Sequence, residues 1–321
     1  MLDQTSSDAF PLINKAYNAV FRPDRLSIGL VVPLEAYAVG ARPSMAHHMK
    51  MAQLADGLDF SALWLRDVPF NVPSFGDPGQ MFDPFVYLGT LAATTERIAL
   101  GAASIVLPLR HPADVAKAAA TADVLSGGRL LLGVASGDRP DEYPAMNMNY
   151  DDRGARFRDS IAYMRAVAED HPRHAGGYGE LSGAIDMLPK PTGPRLPLLV
   201  TGGSRQSPDW VARRGDGWIT YPRAAAAQGQ VVADYRRRTT EAGEPPKPVM
   251  QSLYVDLLAD DEAEPNPIHL GFRSGTAFLR RYLREVEALG INHVALNLRF
   301  NRAPIDATLR RLADELLPDF S

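Results

Sequence analysis

The chain contains no cysteine in its 321 residues. That absence excludes disulfides, thiolate metal sites and cysteine nucleophiles, and it is compatible with a cytoplasmic location. Long apolar runs are missing as well, so no membrane-spanning segment and no membrane partner are expected. There is no basic surplus: 34 Lys and Arg stand against 38 Asp and Glu, the net charge is -4, and the cations are scattered along the chain. Such a distribution offers no electrostatic footprint for nucleic acid. The residues before Phe21 include Asp3, Asp8 and one basic side chain without a long apolar core, a pattern unlike a secretory signal or a transit peptide.

Several catalytic signatures are also absent. Neither G-x-G-x-x-G nor G-x-x-x-x-G-K-[ST] occurs, which removes the usual dinucleotide and P-loop fingerprints, and no G-x-S-x-G elbow marks a serine hydrolase. His47 and His48 point to different faces of a helix, while His171 and His174 flank a proline. Neither pair comes with carboxylates at matching spacing, so no catalytic metal is expected. Asp138, Asp141 and Glu142 share one loop and read as a solvated acidic surface.

What is present is an alternation of short apolar, β-rich runs with segments of helical period. Eight strand candidates can be counted: 27–32, 62–65, 98–104, 130–135, 196–201, 217–220, 250–257 and 293–298. Between them, Val115, Ala118, Ala119, Ala122 and Leu125 share one helical face, as do Phe157, Ile161, Met164 and Ala168. Ser126-Gly127-Gly128 ends the first of these with a left-handed cap and feeds the next strand. The count predicts an α/β fold, a (β/α)8 TIM barrel, with a doubly wound open sheet as the alternative. Residues 171–194 and 260–275 read as insertions, residues 1–24 as a polar N-terminal arm, and 25–321 as a single barrel domain.

In such a barrel the chemistry sits where strands end, so the residues just after each apolar run are the candidates. The strongest is the run Leu198-Leu199-Val200-Thr201 followed by Gly202-Gly203-Ser204-Arg205-Gln206-Ser207. Paired glycines let backbone N–H groups approach an anion, and Ser204 and Ser207 add hydroxyls near the positive end of the next helix. The same residues would also make an ordinary strand-to-helix turn with a serine cap. Other strand ends deliver Arg66-Asp67, Ala102-Ala103-Ser104, Ser136-Gly137-Asp138-Arg139, Tyr221 with Arg223, and Asn297 with Arg299.

Taken together, four segments resemble the bacterial luciferase-like family of flavin-dependent oxidoreductases. They are Ala62-Leu63-Trp64-Leu65-Arg66-Asp67-Val68-Pro69, Ile105-Val106-Leu107-Pro108-Leu109-Arg110-His111-Pro112, residues 125–137, and the turn from Thr201 to Trp210 with Asp216-Gly217-Trp218. The resemblance runs from Leu26 to Phe320. It implies a luciferase-like barrel, a homodimer, and FMN or a deazaflavin at the mouth. The flavin phosphate would fall to Ser136, Gly137, Gly203, Ser204 and Ser207, Thr201 and Gly202 would also contact the cofactor, and the ring would lie over Ala102, Ala103 and Ser104, where the family commonly has a non-proline cis peptide.

The chain also departs from luciferase. Asp67, preceded by Arg66, stands where luciferase has its catalytic histidine, so this pair is either the reacting group or a structural ion pair. Ser136 replaces the phosphate-binding arginine, and Arg139 or Arg205 would supply the charge. The resulting expectation is a two-component monooxygenase that receives reduced FMN from a separate NAD(P)H flavin reductase and uses dioxygen to oxygenate a small organic substrate, with Arg139, Asn297 and Arg299 positioning that substrate. A deazaflavin-dependent dehydrogenase is the alternative, favoured by a basic track from Arg205 toward Arg223 or Arg139. A flavin-binding protein without turnover is the third. Loops 137–151 and 260–275 are placed to close over the mouth.

Overall fold

The computed structural model describes residues 9–320. Eight parallel strands form a closed ring: β1 (Ser27–Val31), β2 (Ala62–Leu65), β3 (Ala99–Val106), β4 (Leu130–Ala135), β5 (Leu198–Thr201), β6 (Gly217–Thr220), β7 (Val249–Leu257) and β8 (His293–Asn297). Each strand pairs with its sequence neighbour, and β8 returns to β1 through Ser27 opposite His293, which closes the barrel. The strand candidates coincide with these eight to within two residues at either end.

The period-two pattern sorts side chains cleanly. Leu63 and Leu65 of β2 face the helices, as do Val294 and Leu296 of β8. Ala62, Trp64, Ala99, Leu131, Leu199, Ile219, Met250 and Ala295 pack together in the barrel interior. Gly101 makes room for the largest of them, since a Cβ there would lie 2.3 Å from the Trp64 ring. The outer layer uses the expected helices, including Pro112–Leu125 and Arg153–Val167, but Leu125, expected on the buried face, is exposed at the helix end.

Both insertions form hairpins. Arg173–Gly176 pairs with Gly179–Ser182, and Asn266–Ile268 pairs with Gly271–Ser274. The second hairpin joins the main sheet, because Gly271–Ser274 runs parallel to the far end of β7.

The N-terminal segment departs from the polar arm expected of it. Residues 1–8 lie outside the described part, but Phe10, Ile13, Ala16, Tyr17, Val20 and Phe21 are buried with the interior residues of the barrel. A helix, Lys15–Val20, starts at Asn14, whose side chain accepts the Tyr17 N–H at 2.9 Å and donates to Asp123 and to the Leu130 carbonyl. Tyr17 donates to the Asp216 carbonyl at 2.7 Å. The apolar spacing of three and four residues makes this segment a stopper for the end of the barrel where the strands begin.

Above the stopper sits a buried polar chain. Trp64 Nε1 donates to His293 Nε2 at 2.8 Å, His293 Nδ1 lies 2.6 Å from Ser27 Oγ, and Ser27 Oγ donates to the Val20 carbonyl at 2.7 Å. With Nε2 accepting, the imidazole proton sits on Nδ1 and every polar atom is satisfied. Burial holds His293 neutral, with its pKa pushed down to about 3 from the ordinary 6.5. The unfolded chain therefore takes up the proton first on acidification, so this contribution is complete above pH 6.5 and is lost between pH 6.5 and 3, at about 1.4 kcal/mol per pH unit. Comparing wild type with His293→Gln cancels every other titrating group. The stability gap between them should close by about 2 kcal/mol from pH 6.5 to 5 in denaturant titrations; a gap independent of pH would contradict a neutral buried imidazole.

Candidate active site

A cavity of about 480 Å³ opens where the eight strands end. Trp64, Ile219, Met250 and Ala295 make its floor, so the interior packing of the barrel sets its depth. Of the two insertions only the second reaches it, through His269 and Leu270 of its hairpin, and the loop after β4 adds Asp138 and Arg139.

One end of the cavity is built by β5 and the turn after it. Gly202, Ser204 and Arg205 adopt positive φ of 54°, 42° and 59°. Left-handed residues on both sides of Gly203 bend the chain into a tight turn, and a turn of this kind can aim consecutive amides at an anion, as in a nest. Among the described residues, the N–H groups of Gly203, Ser204 and Arg205 meet no acceptor. The serine hydroxyls have other duties. Ser204 Oγ donates to the Thr201 carbonyl at 2.7 Å, and Ser207 caps the helix Pro208–Arg214 by accepting the Trp210 N–H. Ser207 lies outside the cavity lining, whereas Thr201, Gly202, Gly203 and Ser204 belong to it. The cradle is therefore made of backbone rather than hydroxyls. Ser136 and Gly137 adjoin it; the Ser136 carbonyl accepts from Tyr143, and Gly137 holds φ 75°.

The neighbouring wall comes from β3. Its pairing with β4 slips between Ala102 and Ile105, and the Ala103–Ser104 peptide is cis. Ala103 and Ser104 line the cavity, Ser104 hydrogen-bonds Thr201 across it, and Ala102 is wholly buried behind them.

Arg66 and Asp67, at the end of β2, adjoin that wall and do not pair with each other. Asp67 Oδ2 accepts the Val106 N–H and Arg110 Nε, both at 3.0 Å, while Oδ1 accepts Arg110 Nη2 at 2.8 Å. Its side chain is only 1% exposed. A carboxylate with three donors is a bracket between β2 and the end of β3, beside the slipped segment.

Arg66 pairs instead with Asp77, at 2.7 Å, and the Gln80 side chain bonds the Arg66 peptide group at both its N–H and its carbonyl. Asp77 also receives Arg299 Nη1 at 2.8 Å, Tyr37 at 3.0 Å, the Gly79 N–H at 3.0 Å and Tyr254 at 3.4 Å. Burial alone would raise the Asp77 carboxyl, but the Arg66 bonds and charge, with the Gly79 N–H, hold it well below the usual carboxylate range.

Arg299 is also saturated by the carbonyls of Tyr37, Ala38 and Gly76 and does not line the cavity, so it stands behind the wall rather than facing a substrate. Asn297 does line the cavity, with Oδ1 accepting the Arg299 N–H at 3.0 Å. Arg139 lies over the Phe75 ring and donates Nη2 to the Asp77 carbonyl, which leaves Nη1 a buried donor without a partner; Arg66 Nε is another.

Glu142 corrects the reading of its loop as a solvated acidic surface. It is 2% exposed with Oε1 unpartnered, and burial pushes its pKa up to about 7 against the pull of Arg139. Asp77, Tyr254, His269 and Arg110 carried no role in the sequence reading. Their signal, a polar residue inside a Gly/Pro loop or far along the chain, becomes meaningful only when the fold brings them to one rim.

Residues 26–319 match the family model described as luciferase-like monooxygenase. The chain belongs to that family. Its members are oxidoreductases, and the barrel follows their fold. An uncharacterised Mycobacterium tuberculosis protein is 38% identical over 146 residues, covering 45% of this luciferase-like chain and 51% of that protein, so the match spans about half the length of that curated relative. The F420-dependent hydroxymycolic acid dehydrogenase of M. tuberculosis is 27% identical over 246 residues, 75% of this chain and 66% of that one. Among solved structures, the monooxygenase RslO1 from Streptomyces bottropensis superposes with a TM-score of 0.78 at 21% identity, over 92% of this chain and 100% of the other.

The Asp67 bracket gives a direct prediction. Asp67→Asn keeps the size of the side chain but removes the buried half of a partly buried ion pair, and should lower the unfolding free energy by about 3 to 5 kcal/mol. The lower end is expected because Asp83, 3.3 Å from Arg110, remains as a second partner. Loss of turnover with unchanged stability in denaturant unfolding would instead make Asp67 a reacting group.

Proposed function

We propose that this luciferase-like protein is the oxygenating component of a two-component flavin monooxygenase. It takes reduced FMN from a separate NAD(P)H flavin reductase and, with dioxygen, oxygenates a small organic substrate. The observation that carries this reading is the backbone nest at Gly203, Ser204 and Arg205, which offers free N–H donors at one end of a cavity with an apolar floor. A phosphate monoester fits that donor set, since oriented amides hold an anion without a counter-charged side chain.

The cation distribution favours a cofactor that ends at its phosphate. Arg205 and Arg223 do not line the cavity, and Arg223 is committed to Thr220, the Tyr221 carbonyl and Gln228. The track expected for an anionic deazaflavin tail is thus reduced to Arg139. A deazaflavin-dependent dehydrogenase stays as the second reading because a relative matching three-quarters of the chain carries an F420-dependent name.

When bound, reduced FMN supplies the electrons that activate dioxygen. The chain supplies position and exclusion of water. Ser204 and its neighbours would fix the phosphate, Ala103 and Ser104 would support the ring, and Trp64 would close the floor. Arg139 Nη1 and Arg66 Nε are unpartnered buried donors on the substrate side. Tyr221 and Tyr254 on the rim keep their protons across the working pH range, because burial raises both phenols above their ordinary value. Leu270 and His269 would cover the mouth.

Anaerobic calorimetric titration with reduced FMN, oxidised FMN and the deazaflavin coenzyme tests the reading. A Gly203 side chain would meet nothing closer than the Gln206 carbonyl at 3.7 Å, so Gly203→Asp places a carboxylate in the cradle without a clash. Reduced FMN should bind tightest and lose at least about tenfold in affinity in Gly203→Asp, as one unfavourable charge contact of about 1.4 kcal/mol requires. Preference for the deazaflavin would transfer the assignment to hydride chemistry, and failure of all three to bind would overturn the flavin reading.

A further inference from the structure

The opposite end of the barrel carries a second cleft, about 760 Å³ in volume. It is assembled from the helix Arg153–Val167, the hairpin strand Arg173–Gly176, Arg195 ahead of β5, the close of the helix Pro208–Arg214, and the turn before β7. Seven cationic side chains and three carboxylates line it, in a chain whose net charge is -4.

Two of the carboxylates are already spent. Asp216 binds Arg165, Arg195 at 2.9 Å and the Leu198 N–H at 2.8 Å. Glu244 pairs with Lys247 at 3.1 Å. Lys247 also donates to the carbonyls of Ala212 and Arg213 at 2.6 and 3.2 Å. Cations at a helix end ordinarily serve those terminal carbonyls. Here the lysine does so, and Arg213 and Arg214 are left over.

Arg158, Arg173, Arg213 and Arg214 form no salt bridge among the described residues, and Arg158 Nη1 donates to the Gln206 side chain at 3.0 Å. Glu169 is the one lining carboxylate without a cation. Four solvent-exposed guanidinium groups from three segments thus line one concavity, and their summed positive potential, only partly offset by Glu169, attracts an anion into it. The planar guanidinium fork matches phosphate oxygens two at a time. One phosphate monoester carries at most about two charges, fewer than the surplus here.

We propose that this basal cleft binds a small anion bearing a diphosphate group, at a site separate from the flavin cavity. Trp210 lines the cleft with its indole against Phe157, ring centroids 5.8 Å apart, and so reports occupancy by fluorescence.

The test uses the full chain carrying Gly203→Asp, which blocks the flavin cradle, titrated with inorganic pyrophosphate and with sulfate. Pyrophosphate should bind with a change in tryptophan emission, at least tenfold tighter than sulfate, and adding Arg213→Gln and Arg214→Gln should weaken it at least tenfold. Both arginines are exposed, so thermal unfolding of the variant should match its parent. If it does not, Arg173→Gln, on an exposed hairpin strand, should weaken binding in the same direction. Absence of pyrophosphate binding, equal affinity for sulfate, or affinity indifferent to these arginines would overturn the proposal.

Discussion

The hydrogen bond from Trp64 to a neutral, buried His293 is the contact on which the rest of the molecule depends. The two rings meet over β1, the strand between their own, inside an eight-stranded barrel, and the glycine at 101 leaves room for one of them. A barrel of this size is filled by side chains rather than left as a pore. With the interior filled to that height, ligand space remains only above it, where the strands end. Below it, the Lys15–Val20 helix and its aromatic neighbours close the other end. Binding at the mouth follows from the packing beneath.

At the mouth, charge is managed by two carboxylates with different tasks. Asp77 gathers Arg66, Arg299, Tyr37 and Tyr254 and fixes the rim loops to one another. Asp67 ties Arg110 to the end of β3, where the strand slips past its neighbour. Isolated charges at this depth would be costly, and paired ones keep their geometry. Among the described residues, the groups left unpaired there are correspondingly informative, notably the amides of the β5 nest, one donor each on Arg139 and Arg66, and Glu142 Oε1.

Most of the barrel was legible in the sequence because alternation and helical period are local signals. The strand ends around Thr201 to Ser204 and Ala103 to Ser104 followed from strand positions alone. Pairing was not legible. Asp67 lies 43 residues from Arg110, and Arg299 lies far along the chain from Asp77, so adjacency in sequence wrongly suggested a pair between Arg66 and Asp67. The stopper segment was obscured by the polar residues around it, although its apolar spacing is helical. The basal cluster is the plainest case: cations that look scattered along the chain meet only when five segments converge.

The central claim is that the free amides of the β5 nest hold the phosphate of a reduced flavin above the Trp64 floor. The most direct measurement is a crystal structure of the protein with reduced FMN grown under anaerobic conditions. The account predicts the phosphate within hydrogen-bond reach of the N–H groups of Gly203, Ser204 and Arg205, with the ring against Ala103 and Ser104. A flavin whose phosphate sits elsewhere, with those amides facing only solvent, would contradict it.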